Sequence, residues 1–171
     1  MRDGYTLPPE TTIGHVHLKV SDLGRSIAFY RDVLGFTLRA DGRAVGVQAA
    51  FLAAGSYHHH IALNTFDSAG GTPPPTSSTG LYHLAIRLPD RLSVARAITR
   101  VVACGGRVDS GRDHGATVSV YLNDPDANGV ELYYDRSEAD WYDPSGRPVL
   151  KNEPFDPNTL VAEVLAHQLQ P

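Results

Sequence analysis

Cysteine is almost missing from this chain: Cys104 is the only one among 171 residues. A single thiol excludes an intramolecular disulfide and removes thiolate clusters from the metal sites open to the protein. An excess of basic charge is missing too. Lys and Arg total 15 against 19 Asp and Glu, a net charge of −4, so nucleic-acid binding has no electrostatic support. No hydrophobic run approaches the roughly 20 residues a membrane helix needs. The opening residues, MRDGYTLPPETT, hold no apolar signal region. These absences lead to the expectation of a cytoplasmic protein with no nucleic-acid or membrane partner. The rest is ordinary for a globular chain, with 42% hydrophobic and 20% charged residues, enough for one core or two small modules sharing one.

The pattern of apolar residues suggests two modules. Ile13–Val20 alternates with period two and reads as a strand, with Val16, Leu18 and Val20 on one face and His15, His17 and Lys19 on the other. Ser21 or Asp22 can cap the following helix, whose stripe is Leu23, Ile27, Tyr30 and Leu34 and whose stop is Gly35. Strands are expected near Thr37–Ala40, Val45–Ala53 and His58–Phe66, giving βαβββ over residues 12–66. The Gly/Pro/Ser/Thr-rich segment 67–80 buries little apolar surface and reads as a linker. Residues 81–135 repeat the order. The second module has a strand at His83, a helix over Leu92–Cys104 with Ala95, Ile98 and Val102 as its stripe, and strands near Arg107–Asp109, Thr117–Leu122 and Gly129–Tyr134. A tail, 136–171, ends in an expected helix over Asn158–Leu169 with Val161, Val164, Leu165 and Leu169 on its packed side. The class is α+β: two paired βαβββ modules plus a tail with a short helix.

Strand parity converts the repeat into a site. His15 and His83 open matched strands 68 residues apart, each on the face opposite the apolar one. In the last strands, Ile61/Leu63 and Val130/Leu132 mark the helix side. That turns His60, Ala62 and Asn64, and in the second module Glu131 and Tyr133, toward the cavity. Ala62 and Glu131 hold equivalent positions, and Tyr121 turns the same way from its own strand. One polar cavity would then receive His15, His17, His60, His83, Tyr121 and Glu131. Two histidines and one carboxylate form the ligand set of iron(II) sites that leave positions open for substrate and oxygen. Taken singly, each residue has an ordinary explanation as a solvated or hydrogen-bonded strand residue; their coincidence on one face is what points to a site.

The segments HVHLKVSDLGRSIAFYRDVLGF, YHHHIALNTF, LYHLAIRLPD and DPDANGVELYYD resemble the vicinal oxygen chelate superfamily, which includes glyoxalase I, extradiol dioxygenases and bleomycin-resistance proteins. The resemblance covers about residues 12–136. It implies two βαβββ modules pairing into a metal-binding cup, within one chain or across a homodimer. It places the metal ligands on His15, His83 and Glu131, with iron(II) expected and manganese(II) or another divalent metal as a substitute. A glutamate found in glyoxalase I falls at Ala62, which has no donor atom, so the resemblance favours the catechol 2,3-dioxygenase-like branch. There the acid/base histidine corresponds to His60, favoured by parity, or His59, favoured by alignment with the family. Tyr121, ten residues before Glu131, and His114 correspond to groups that bind substrate oxygens; His17 would support the ligands from behind. The implied partners are an aromatic diol and O2. The alternatives are a metal-dependent isomerase or lyase, and a non-enzymatic cup that sequesters a small molecule.

Overall fold

A computed structural model describes residues 4–168, apart from the side chains of residues 163, 164, 167 and 168. The first half contains β1 (Val16–Lys19), α1 (Leu23–Ala28), β2 (Thr37–Asp41), β3 (Ala49–Ala53) and β4 (Ile61–Asn64). The second contains β5 (His83–Arg87), α2 (Arg91–Ala103), β6 (Ser110–Asp113), β7 (Thr117–Asn123) and β8 (Gly129–Asp135). The tail adds β9 (Glu153–Phe155) and α3 (Pro157–Gln168). The sheets are separate. One runs β1-β4-β3-β2 and the other β5-β8-β7-β6-β9, with β1/β4 and β5/β8 as parallel pairs and the remaining pairs antiparallel.

Local chemistry explains the elements. Asp22, rather than Ser21, caps α1: its carboxylate accepts from Arg25 N at 2.9 Å, satisfying a first-turn N–H that has no helical partner. Asp90 does the same for α2 through Ser93 N at 2.7 Å. After Ala28 the helix widens into a π-helical stretch, Phe29–Val33, which turns Tyr30 fully inward. On α2 the buried residues are Val94, Ala95, Ile98 and Val101, whereas Val102, expected on the packed stripe, is 58% exposed. Spacings of three and four from Val94 to Ile98 to Val101 keep that stripe on one helical face, and Val102 falls off it.

Several expected strands are shorter. Residues 13–15 precede β1, residues 42–45 form a 3-10 turn, and His58, His59 and His60 precede β4. The strand expected near Arg107–Asp109 instead begins at Ser110. Sequence patterning missed β9 altogether, because EPF is three residues long and contains a proline, which an edge strand tolerates. It joins β6 through Gly111↔Phe155, and Gly111 is required there: a Cβ would lie 2.8 Å from the Phe155 ring. In α3, Leu160 is buried and Val161 packs on the core, while Leu165, expected on the packed side, is 55% exposed. The side chain of Val164 and all of Leu169 lie outside the described residues.

One hydrophobic core runs through both halves, joining Leu18, Ile27, Tyr30 and Leu63 to Val94, Ile98, Val120 and Leu132. Each such side chain, fully withdrawn from water, contributes about 1.5–3 kcal/mol. Polar contacts then fix how the halves meet. Tyr30 Oη donates to Asp124 at 3.0 Å, and Asp126 accepts from Ser21 Oγ at 2.5 Å and Arg25 Nη2 at 2.8 Å. Arg100 Nε donates to the Asp32 carbonyl at 2.8 Å. The first helix is thereby docked on the β7–β8 turn.

Candidate active site

The second sheet gathers one half of the expected site. In the parallel β5/β8 pair, His83 lies opposite Gly129 and Ala85 opposite Glu131, so His83 and Glu131 sit one two-residue step apart on neighbouring strands of the same face. The close approach needs a glycine. A Cβ at position 129 would lie 3.0 Å from His83 Cβ and collide with the Tyr82 carbonyl oxygen. Across that gap His83 Nε2 reaches Glu131 Oε2 at 2.9 Å.

A hydrogen-bonded chain runs outward from Glu131, a carboxylate only 9% exposed. Tyr121 Oη donates to Glu131 Oε1 at 2.9 Å, and His114 Nε2 meets Tyr121 Oη at 2.8 Å. His114 Nδ1 meets the Lys151 carbonyl at 3.1 Å. Tyr121 has one hydrogen, and it points to Glu131. Both contacts of His114 therefore require N–H groups on both of its ring nitrogens; a neutral ring leaves one contact unmade. Burial, then the hydrogen bond and charge of Glu131, push the Tyr121 phenol up to about 12.

The first sheet holds the other half. His15 is exposed just before β1, and its ring lies 4.6 Å from that of His59, centroid to centroid. His59 Nδ1 meets His58 Nδ1 at 2.7 Å and its ring packs edge-on against Phe51. Burial, followed by the charges of the surrounding imidazoles, holds the His59 pKa below the usual histidine value. His60, favoured by parity, instead accepts from Ala54 N at 3.3 Å and lies against Tyr57, because it precedes the strand whose alternation was extended to it. His59 is thus the imidazole beside His15. His17 Nε2 accepts from Asn64 Nδ2 at 2.8 Å; the Asn64 oxygen takes Phe66 N, which fixes the amide and places the His17 proton on Nδ1. Ala62 pairs with His17 across β1/β4 and offers no donor.

Within one chain the expected single cavity is divided. His15, His17, His58, His59 and His60 belong to the first sheet, and His83, His114, Tyr121 and Glu131 to the second. Among the described residues no three His, Cys, Asp or Glu side chains group closely enough to hold a metal ion. The two polar faces belong to separate sheets, β1-β4-β3-β2 and β5-β8-β7-β6-β9.

The second half-site still fits a cation. Two donors bonded to one metal at about 2.1 Å and at right angles lie about 3 Å apart, and His83 Nε2 and Glu131 Oε2 are separated by 2.9 Å. The anchoring of this donor pair is built around the carboxylate, through Tyr121 and His114; among the described residues the buried His83 Nδ1 has no partner. His83, Tyr121 and His114 line a cavity of about 550 Å3, which Arg112 and, from the tail, Asn152 also line. Sequence reasoning missed both. Arg112 shares the parity of Ser110 in SGRD, a signal hidden by the misplaced β6.

A family model described as Glyoxalase/Bleomycin resistance protein/Dioxygenase superfamily matches residues 12–132. A catechol-2,3-dioxygenase from Bacillus subtilis is 41% identical over 104 residues, 61% of this chain but 36% of that relative, so the chain spans about a third of its length. A probable lactoylglutathione lyase from Synechocystis is 27% identical over 128 residues, 74% of this chain and 97% of that one. Among solved structures, a glyoxalase/dioxygenase from Nostoc punctiforme has a similar fold, with a TM-score of 0.63 and 23% identity over 79% of this chain and 99% of the other.

Proposed function

Since the chain belongs to the glyoxalase/bleomycin resistance protein/dioxygenase superfamily, we propose that it is an iron(II)-dependent extradiol dioxygenase whose site is completed by two copies of the chain. The substrate is a catechol-type aromatic diol. The observation that carries this reading is the His83–Glu131 donor pair, 2.9 Å apart and backed by Tyr121 and His114. The third ligand, His15, comes from a second copy in a homodimer. Ile13 and Tyr82, which flank the two half-sites in sequence, are 94% and 90% exposed, as residues awaiting cover are.

His15, His83 and Glu131 would hold the metal. Bound there, iron(II) would supply the Lewis acidity that favours the diol anion and the redox chemistry that lets diol and O2 react. The reaction takes one diol and one O2 and keeps both oxygen atoms in the ring-opened product, so no external reductant enters. Tyr121 Oη turns its hydrogen to a diol oxygen and orients it. His59, kept neutral by its surroundings, takes the diol proton at Nε2, which has no hydrogen-bond partner among the described residues. His114 Nε2, 2.8 Å from Tyr121 Oη, steadies the phenol as it turns.

The test is anaerobic loading with iron(II), then catechols and oxygen, followed by oxygen uptake and the yellow ring-opened product. Full iron occupancy with no oxygen consumed across a broad diol panel rejects the proposal. A second reading, a metal-dependent isomerase or lyase, draws support from the lyase matched over almost its whole length; Ala62, which lacks the fourth donor, counts against it. Turnover with nickel, cobalt or zinc in the absence of oxygen would select that reading.

A further inference from the structure

The cavity beside His83 holds one cation that the mechanism does not use. Arg112 lines it from β6. Pairing through Arg112↔Ser119 and Ser119↔Tyr133 puts its side chain on the face that carries Glu131 and Tyr121. Arg112 Nη1 donates one long bond, 3.5 Å, to the Gly111 carbonyl, and among the described residues no carboxylate pairs with it. The acid in the same cavity, Asp109, is already matched: it accepts from Arg107 Nη2 at 2.6 Å and Asn123 Nδ2 at 2.9 Å. Other arginines close by in sequence or space are paired as well, Arg87 with Asp135 and Arg136 with Asp113.

Position adds to charge. Arg112 stands two strands and one two-residue step from Glu131, about 12 Å between Cα atoms for sheet spacings of about 4.8 and 6.7 Å. From there a guanidinium reaches back over the space into which an aromatic ring extends when its diol end is held beside Glu131. The Arg112 charge is felt at Tyr121, where it opposes the rise in the phenol pKa. Closing the cup would strip water from an unpaired guanidinium, which is unfavourable unless an anion comes with it.

We propose that Arg112 makes this cup selective for aromatic diols that carry a carboxylate on the ring edge remote from the hydroxyls, with a bidentate guanidinium–carboxylate contact as the recognition element. The assignment rests on the diol reading above and names its substrate class. Calorimetric titration of the full-length protein under anaerobic conditions, with 3,4-dihydroxybenzoate and with unsubstituted catechol, tests it independently of turnover. Wild-type protein is expected to bind the carboxylated diol about tenfold or more tightly. Arg112→Gln should equalise the two, Arg112→Lys should keep part of the preference, and Arg96→Gln, on the outer face of α2, should keep all of it. Equal binding by the wild type, or an unchanged preference in a folded Arg112→Gln protein, overturns the proposal. Should neither diol consume oxygen at full iron occupancy while the Arg112-dependent preference persists, the dioxygenase reading fails and the anion site stands.

Discussion

If each site takes His15 from one copy and His83 and Glu131 from the other, two dead variants should repair each other. His15→Ala breaks both sites of its own dimer, and so does His83→Ala. Neither change threatens the fold. His15 is exposed before β1, and loss of His83 removes one hydrogen bond to Glu131, about 1 kcal/mol, while Tyr121 continues to hold that carboxylate. Mixed in equal amounts and allowed to exchange subunits, half of the dimers become heterodimers. Each heterodimer has one site with neither histidine and one with both. About a quarter of wild-type sites should therefore return, from a baseline near zero. Iron retained per chain after desalting reads this directly, and oxygen uptake reads it a second time. A mixture that stays at the level of the separate variants, with heterodimers demonstrated by mass-tagged chains, refutes the shared-site reasoning. Full recovery in either variant alone would remove that histidine from the site.

Two further outcomes follow from contacts already described. The Tyr121 phenol, raised to about 12, should appear in the difference between the ultraviolet titrations of wild type and Tyr121→Phe, with its midpoint near 12; a midpoint near the ordinary 10 contradicts its burial against Glu131. Because the native state keeps that proton after the unfolded chain releases it, the associated stability is intact below pH ~10 and disappears as pH rises from 10 to 12. Tyr30→Phe removes a buried donor from Asp124, which keeps Asp126 N, Asn128 N and Asn128 Nδ2. The cost should be about 1–2 kcal/mol, a fall in Tm of about 2–8 °C, and an unchanged melting curve would show that the staple between the halves contributes nothing.

Within strands, the alternation of residues was enough to place side chains. Leu84, Val130 and Leu132 go to the core while His83 and Glu131 go to the opposite face, because successive Cβ atoms point to opposite sides and burial penalises the wrong register. The same reasoning failed where strands ended earlier than their apolar content suggested. His60 lies outside β4, so its parity means little, and β6 starts after the segment expected for it, which concealed Arg112. A three-residue strand such as β9 leaves almost no periodic signal, yet it brings Lys151 and Asn152 to the site.

What the chain settled by itself was chemical and local: the side-chain types on offer, the absence of a donor at Ala62, the two repeated units, and the face each strand offers. Which faces share a space was a matter for long-range contacts alone. Tyr30 and Arg25 meet Asp124 and Asp126 about a hundred positions away, and among the described residues of a single chain His15, His83 and Glu131 do not form one group. Period-two alternation describes a strand relative to its own sheet; it has no term for how one sheet is set against another.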